Sequence, residues 1–266
     1  MGVGVARAGL VTAAAALLLG ACGGPAKQPT TTTTRPPTAT VAPVPVGGPV
    51  PSGFDPLSFS AVSEDHYWVL GDAPCGTRRC PVIVRTTDGG ATFVSVPSPA
   101  VAVPGDGSGT SSDPTLRFAD DRDGYAFVIQ TASLFSTHDG GATWRPVAVG
   151  DVLAFATGAG QVTVVTATCV ATANPPCSGW ALARSPVSSD AFTSAPLPFT
   201  PGAPNVDLQM HGADLWLIGA PSAVASAAHD VEARSSDAGR TFTVGDGPCG
   251  PDLGGRLAPT SGTDVW

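Results

Sequence analysis

From about residue 54 onward the chain alternates apolar and polar positions with period two, in short runs broken by polar turns. The clearest runs come in pairs: "LSFSAVSEDHYWVLG", "LRFADDRDGYAFVIQ", "LAFATGAGQVTVVT" and "LQMHGADLWLIGA". Each reads as an alternating strand, a polar turn and a second strand rich in aromatic or β-branched residues. A third short strand follows, such as "VIVRT" or "SLFST", then a Gly-rich turn, then a fourth such as "TFVSVP" or "TWRPVAV". Four antiparallel strands recurring in each unit make the expected class all-β.

The turn before each fourth strand repeats in sequence as well as in position. "TTDGGATF", "THDGGATW" and "SSDAGRTF" place aspartates at Asp88, Asp139 and Asp237. A decayed copy, "SSDAFTS", puts Asp190 in register, so that the four aspartates stand 51, 51 and 47 residues apart. Aspartate caps turn N–H groups, glycine supplies positive φ, and an aromatic residue packs the turn onto its surroundings.

These copies resemble the Asp-box, or BNR, repeat of sialidase-type and related β-propellers. The matching residues are Thr86, Asp88, Gly90, Thr92 and Phe93, then Thr137, Asp139, Gly141, Thr143 and Trp144, then Ser235, Asp237, Gly239, Thr241 and Phe242. Asp190 stands in a copy that has lost its glycines. The resemblance implies a β-propeller with the turns on the hairpin between third and fourth strands, away from the ligand face, in a structural role. The blades are expected at about 54–100, 114–150, 151–200 and 204–247, with "RLAPTSGTDVW" opening a fifth unit over 255–266. Four and a fraction blades leave open sheet edges, so the expectation is a chain truncated at its carboxyl end. A partial propeller completed by another chain is the alternative.

Composition changes the picture at the amino terminus. Arg7 precedes the apolar run "AGLVTAAAALLLGAC", which is too short to span a bilayer as a helix and closes on small residues. Residues 1–21 read as a signal peptide, and Leu19-Gly20-Ala21-Cys22 resembles a bacterial lipobox, which implies lipid on Cys22 and a membrane anchor on the extracytoplasmic side. An ordinary signal peptide is the plainer alternative. Residues 22–53 are rich in Thr, Pro and small residues and form a disordered tether, with 54–266 as the folded part.

Five cysteines remain beyond Cys22. Cys75 with Cys80, and Cys169 with Cys177, read as local disulfides, with metal binding as the rival. Cys249 has no evident partner: a free thiol, an intermolecular bond and a partner beyond residue 266 all stay open.

Little chemistry is legible. The arginine motif and the Tyr–Glu pair of sialidases find no counterpart: Tyr67 and Tyr125 sit at a core position of the second strand, Arg78 and Arg79 fall in the first cysteine loop, and Arg85 and Arg234 precede turns. Asp120 to Gly124 reads as a turn, because the glutamate of a calcium loop is missing. His66, His138, His211 and His229 lack ligand spacing. No catalytic residue, metal or cofactor is expected. With 21 acidic and 13 basic residues and a net charge of −8, nucleic acid is a poor partner. The front halves also resemble repeats of the photosystem II assembly-factor type, which implies a scaffold that binds protein. The loops at 71–81, 97–114 and 167–179 are the contact candidates. The expected function is a surface lipoprotein whose propeller binds a protein or glycan partner; the alternative is a sialidase-like or other glycoside hydrolase whose catalytic residues lie largely outside this sequence.

Overall fold

The computed structural model describes residues 47–109, 112–170, 176–221 and 230–247. Cys22, most of the tether, Cys249 and the unit opened at 255 lie outside them. Sixteen strands make four four-stranded antiparallel sheets, each in sequence order, and no helix occurs among the described residues. Blade 1 holds β1 (Asp55–Ala61), β2 (Tyr67–Cys75), β3 (Arg78–Thr86) and β4 (Val94–Val96). Blade 2 holds β5 (Thr115–Phe118), β6 (Gly124–Phe127), β7 (Leu134–Thr137) and β8 (Arg145–Pro146). Blade 3 holds β9 (Asp151–Gly158), β10 (Gln161–Cys169), β11 (Cys177–Pro186) and β12 (Thr193–Pro196). Blade 4 holds β13 (Pro201–His211), β14 (Asp214–Pro221), β15 (Val231–Ser235) and β16 (Thr243–Asp246). The all-β, four-strand-per-unit expectation therefore holds. Blade 4 begins at Pro201, three residues before the expected 204, because β13 continues past the register shift between Pro201 and Val206.

Short local hairpins explain why these segments pair as they do. In each of blades 1, 2 and 4 the first residue of the aspartate turn faces the start of the second strand: Thr86 opposite Tyr67, Thr137 opposite Gly124, Ser235 opposite Leu215. This register corrects one expectation. Tyr67 and Tyr125 are not equivalent, since Trp68, Tyr125 and Trp216 stand one step further along, opposite Arg85, Ser136 and Arg234. The sequences "HYWV" and "DGYAF" invite the wrong alignment, because tyrosine is offset by one in blade 1 and side chains alternate faces along a strand.

Alternation gives every blade two faces, and the cores lie between blades. Trp68, Leu70 and Ile83 of blade 1 meet Leu116, Phe118 and Ala126 of blade 2, with Trp144 packed against the cluster. Tyr125, Phe127 and Leu134 meet Val162, Val164 and Ala183 of blade 3. Leu153, Ala156, Val165 and Leu182 meet Leu208, Leu215, Leu217 and Ala233 of blade 4. Each large apolar side chain so buried contributes roughly 1.5–3 kcal/mol. The outer edge of blade 1 is covered by the chain arriving from the tether, where Ser95 N donates to Gly48 O at 2.7 Å. That contact blunts an edge strand that would otherwise offer free backbone groups.

Candidate functional site

The aspartate turns form closed hydrogen-bond cages. In the first, Thr86 Oγ1 donates to Asp88 Oδ1 at 2.7 Å and accepts from Gly90 N at 2.9 Å. Asp88 also accepts from Thr92 N at 2.9 Å and, through its other oxygen, from Thr92 Oγ1 at 2.6 Å. Thr137, Asp139, Gly141 and Thr143 repeat this network, as do Ser235, Asp237, Gly239 and Thr241. Gly90, Gly141 and Gly239 have φ of 91°, 91° and 80°, and a side chain at Gly90 would in addition strike Tyr67 Oη. Each of the three carboxylates thus engages both of its oxygens within its own turn.

These cages hold their aspartates ionised. The Thr92 hydroxyl and amide, with the Thr86 hydroxyl, bring Asp88 down to about 2. The Thr241 amide and hydroxyl, with the Ser235 hydroxyl, hold Asp237 well below the usual carboxylate range. For Asp139, burial pushes upward, and the Thr143 and Thr137 donors outweigh it to leave a lowered value. A carboxylate with a depressed folded pKa contributes stability that is complete above its unfolded pKa and is lost as pH falls through the folded one. Asp123 runs the other way, raised chiefly by burial. Urea midpoints should therefore fall from about pH 4 downward, toward the value near 2 of Asp88. The triple variant Asp88→Asn, Asp139→Asn, Asp237→Asn should start from a lower midpoint and lose much of that acid slope; an unchanged slope would remove these turns as its source.

Asp190 behaves differently from the other three aspartates. Without glycines its segment makes no cage. Its carboxylate accepts from Ser136 Oγ of blade 2 at 2.9 Å and lies 3.4 Å from His138 Nε2. His138 Nδ1 is 2.7 Å from Asp123 Oδ1. Expected as a structural turn residue, Asp190 is a strap between blades 2 and 3. The two carboxylates flank opposite ring nitrogens and do not converge on one point. Among the described residues no group of three or more His, Cys, Asp or Glu side chains is placed to hold a metal ion. His66 meets Asp121 at 2.7 Å, again joining blade 1 to the β5–β6 turn of blade 2. In that turn Asp120 Oδ1 accepts from the amides of Arg122 and Asp123, both at 2.8 Å.

Both local disulfides are present, Cys75–Cys80 and Cys169–Cys177. They alter the reading of the contact loops. Residues 71–81 were expected as an enlarged loop, yet β2 runs to Cys75 and β3 restarts at Arg78, with Gly76 at φ 71°. Cys169 and Cys177 pair directly across β10 and β11. The first is a long hairpin cross-linked near its tip, and in the second the strands stay paired as far as the disulfide, with residues 171–175 outside the described residues. Arg79, without an assigned role in the sequence reading, donates to the buried Asp72 carboxylate and to Gly53 O.

Antiparallel pairing puts the aspartate turns at one edge of the blades and the β2–β3 type hairpins at the other. A cavity of about 480 Å3 lies toward this second edge, along β5, β9 and β13, the first strands of blades 2, 3 and 4. Arg117, Gln130, Asn205, Asp207, Gln209 and Asp230 supply its polar lining. Phe127 and Phe155, stacked at 4.6 Å, form part of its apolar wall. Arg117 is exposed, and its side chain has no hydrogen bond or ion pair among the described residues. Gln209 Nε2 donates to Asp207 Oδ1 at 3.0 Å. Gln130 has φ of 62°, a left-handed conformation that non-glycine residues seldom adopt, and its backbone N–H donates to Val152 O of blade 3 at 2.7 Å. Sequence reasoning missed every one of these residues, because they come from three blades and share no local motif.

No protein-family model matches the chain, and no curated protein sequence does. Among solved structures, it is similar to the GH74 xyloglucanase from Xanthomonas campestris at 14% identity and a TM-score of 0.36, over 71% of this chain and 38% of that one. It is also similar to the catalytic domain of the Coprinopsis cinerea GH62 α-L-arabinofuranosidase at 13% identity and a TM-score of 0.38, over 78% of this chain and 74% of that one. The chain thus spans well under half the length of the xyloglucanase it resembles.

Proposed function

We propose that this protein is an exported, lipid-anchored binding module that takes a glycan in the cavity bounded by blades 2, 3 and 4. The observation that carries the reading is the cavity's lining: planar amide, carboxylate and guanidinium groups, several of them on the first strands β5 and β13, beside an apolar wall. Such groups satisfy neighbouring sugar hydroxyls in pairs, and about 480 Å3 lies within the ordinary range of small-ligand sites. Two disulfides suit an oxidising compartment, and the Cys22 motif with its Thr/Pro tether suits display from a membrane.

Asp207 and Asp230 both line the cavity, and this favours a second reading as a glycoside hydrolase. One experiment separates the two. The protein is made from its full coding sequence with radiolabelled palmitate, and the labelled product is applied to a glycan array and to chromogenic glycosides. Label that depends on Cys22, array binding weakened about tenfold or more by Gln209→Ala, and no release of chromophore would support the binding module. Chromophore release abolished by Asp207→Asn or Asp230→Asn would establish the hydrolase instead. Binding unaffected by Gln209→Ala and Arg117→Ala would remove the cavity from either account.

A further inference from the structure

Three non-glycine residues among those described have positive φ: Gln130 at 62°, Ala159 at 48° and Ala238 at 57°. Turn chemistry accounts for the two alanines. Ala159 and Gly160 form the two-residue loop between β9 and β10, both with positive φ, which is the type I′ geometry that matches the twist of a hairpin. Ala238 stands in the third aspartate turn where Gly89 and Gly140 stand in the others, at φ of 68° and 73°. Gln130 has no such account. The β2–β3 hairpin of blade 1 makes its left-handed step with Gly76, yet in the β6–β7 hairpin of blade 2 a long side chain takes that conformation. A strained residue of this kind persists only where its surroundings over-determine it. The Gln130 backbone N–H donates to Val152 O at 2.7 Å, and Val152 N donates to Thr131 O at 2.8 Å. Thr131 Oγ1 then donates to Val128 O at 2.9 Å and accepts from Ser133 N at 3.2 Å, closing the turn. Gln130 itself is exposed, its side-chain amide makes no hydrogen bond among the described residues, and it lines the cavity with Arg117 and Gln209.

We propose that Gln130 is a specificity-determining residue of this cavity, its left-handed backbone retained because that conformation presents the side-chain amide to a bound sugar. The inference rests on the glycan reading above and names the feature recognised. A glycine would satisfy the turn without strain and would leave the rim bare. An amide carries an acceptor and a donor in one plane, so it engages two adjacent hydroxyls, accepting from one and donating to the other. The class selected is a sugar residue whose vicinal hydroxyls are both free, against one methylated or acylated at either. A backbone fixed in advance by the Thr131–Val152 bridge reduces the ordering that binding requires.

Two variants of the protein made from its full coding sequence separate the backbone from the side chain. Gln130→Gly relaxes the turn and removes the amide, so it should raise Tm by roughly 1–4 °C and weaken retention on a glycan array about tenfold. Gln130→Ala keeps the left-handed strain and removes the amide, so it should leave Tm within about 1 °C and lose the same tenfold. Titration with the oligosaccharide the array retains best, and with its single-site O-methyl derivatives, reads the specificity. The native protein should reject derivatives blocked at either hydroxyl of one vicinal pair by about tenfold, and both variants should flatten that preference to about twofold or less. Binding and preference unchanged in both variants would overturn the role of Gln130 and leave the cavity reading standing. A Tm lowered by Gln130→Ala with binding intact would likewise overturn it, making the residue part of the scaffold. If the native protein retained no glycan on the array, the cavity reading itself would fall, and this inference with it.

Discussion

Replacing Trp68 by alanine should destabilise the protein by about 3–5 kcal/mol, the range for removing a large buried aromatic side chain. Trp68 is 1% exposed, and its ring stacks on Phe118 of blade 2 with centroids 3.9 Å apart and planes within 8°. Its Nε1 donates to Gly140 O, inside the second aspartate turn, at 3.3 Å. One side chain thus carries apolar burial, an aromatic pair worth about 0.5–1.5 kcal/mol beyond area, and a hydrogen bond into the neighbouring turn. Chemical denaturation at pH 7 measures the sum. Trp68→Phe should cost roughly 1–2 kcal/mol, since it keeps a ring and loses the bond and part of the volume. Coupling to Phe118→Ala should be positive, because both act through one contact. A loss below about 1 kcal/mol for Trp68→Ala would mean that the seam between blades 1 and 2 is not where stability resides.

That seam also shows what the sequence could and could not reveal. The blades were legible because each hairpin is local: alternation, Asp and Gly at the turns, and a spacing near 51 residues are properties of neighbouring positions. The disulfides were legible for the same reason, each closing a single hairpin. The contacts between blades were not. Which tyrosine enters the core depends on a one-residue register offset that only the pairing of Thr86 with Tyr67 and of Thr137 with Gly124 resolves. Asp190 kept its spacing and lost the glycines of its turn, and only the fold shows that its carboxylate meets Ser136 of blade 2. The cavity was invisible in principle from local pattern: Arg117 of β5, Gln130 after β6 and Gln209 of β13 come together only because blades 2, 3 and 4 lie side by side.

A recurring device follows from these corrections. Polar side chains near the turns reach to the next blade: His66 to Asp121, Ser136 to Asp190, Tyr125 Oη to Val187 O at 2.9 Å. Burial, with Asp190 and Asp123 nearby, pushes the Tyr125 hydroxyl well above its ordinary range, so it remains a donor throughout. Arg85 shows the cost of the arrangement. It is buried, its Nε has no hydrogen-bond partner among the described residues, and desolvation lowers its pKa against the pull of Asp121. Apolar packing sets how strongly blades adhere, and these directional contacts set the angle at which they do so.

The second large effect is expected at Arg79, on the hairpin edge. Its guanidinium donates to the carboxylate of Asp72, whose side chain is 3% exposed, and also to Asp72 O at 3.3 Å and Gly53 O at 3.1 Å. Its own amide donates to Gly105 O at 3.2 Å, joining the hairpin to the loop after β4. Arg79→Ala strands the Asp72 carboxylate in the protein interior. The full cost for a buried pair is roughly 3–5 kcal/mol, and since the Arg79 side chain is 33% exposed, water reaches the site and about 2–3 kcal/mol is expected. Arg79→Lys should recover only part of this, because a point charge cannot span the carboxylate and Gly53 O as a planar fork does. Adding Asp72→Ala to Arg79→Ala should restore stability, giving a coupling of about 2 kcal/mol in a double-mutant cycle followed by urea denaturation. If Arg79→Ala alone were neutral, the hairpin would be held by the Cys75–Cys80 bond and its ladder, and the ion pair would be a surface contact of the kind that contributes about 0–1 kcal/mol.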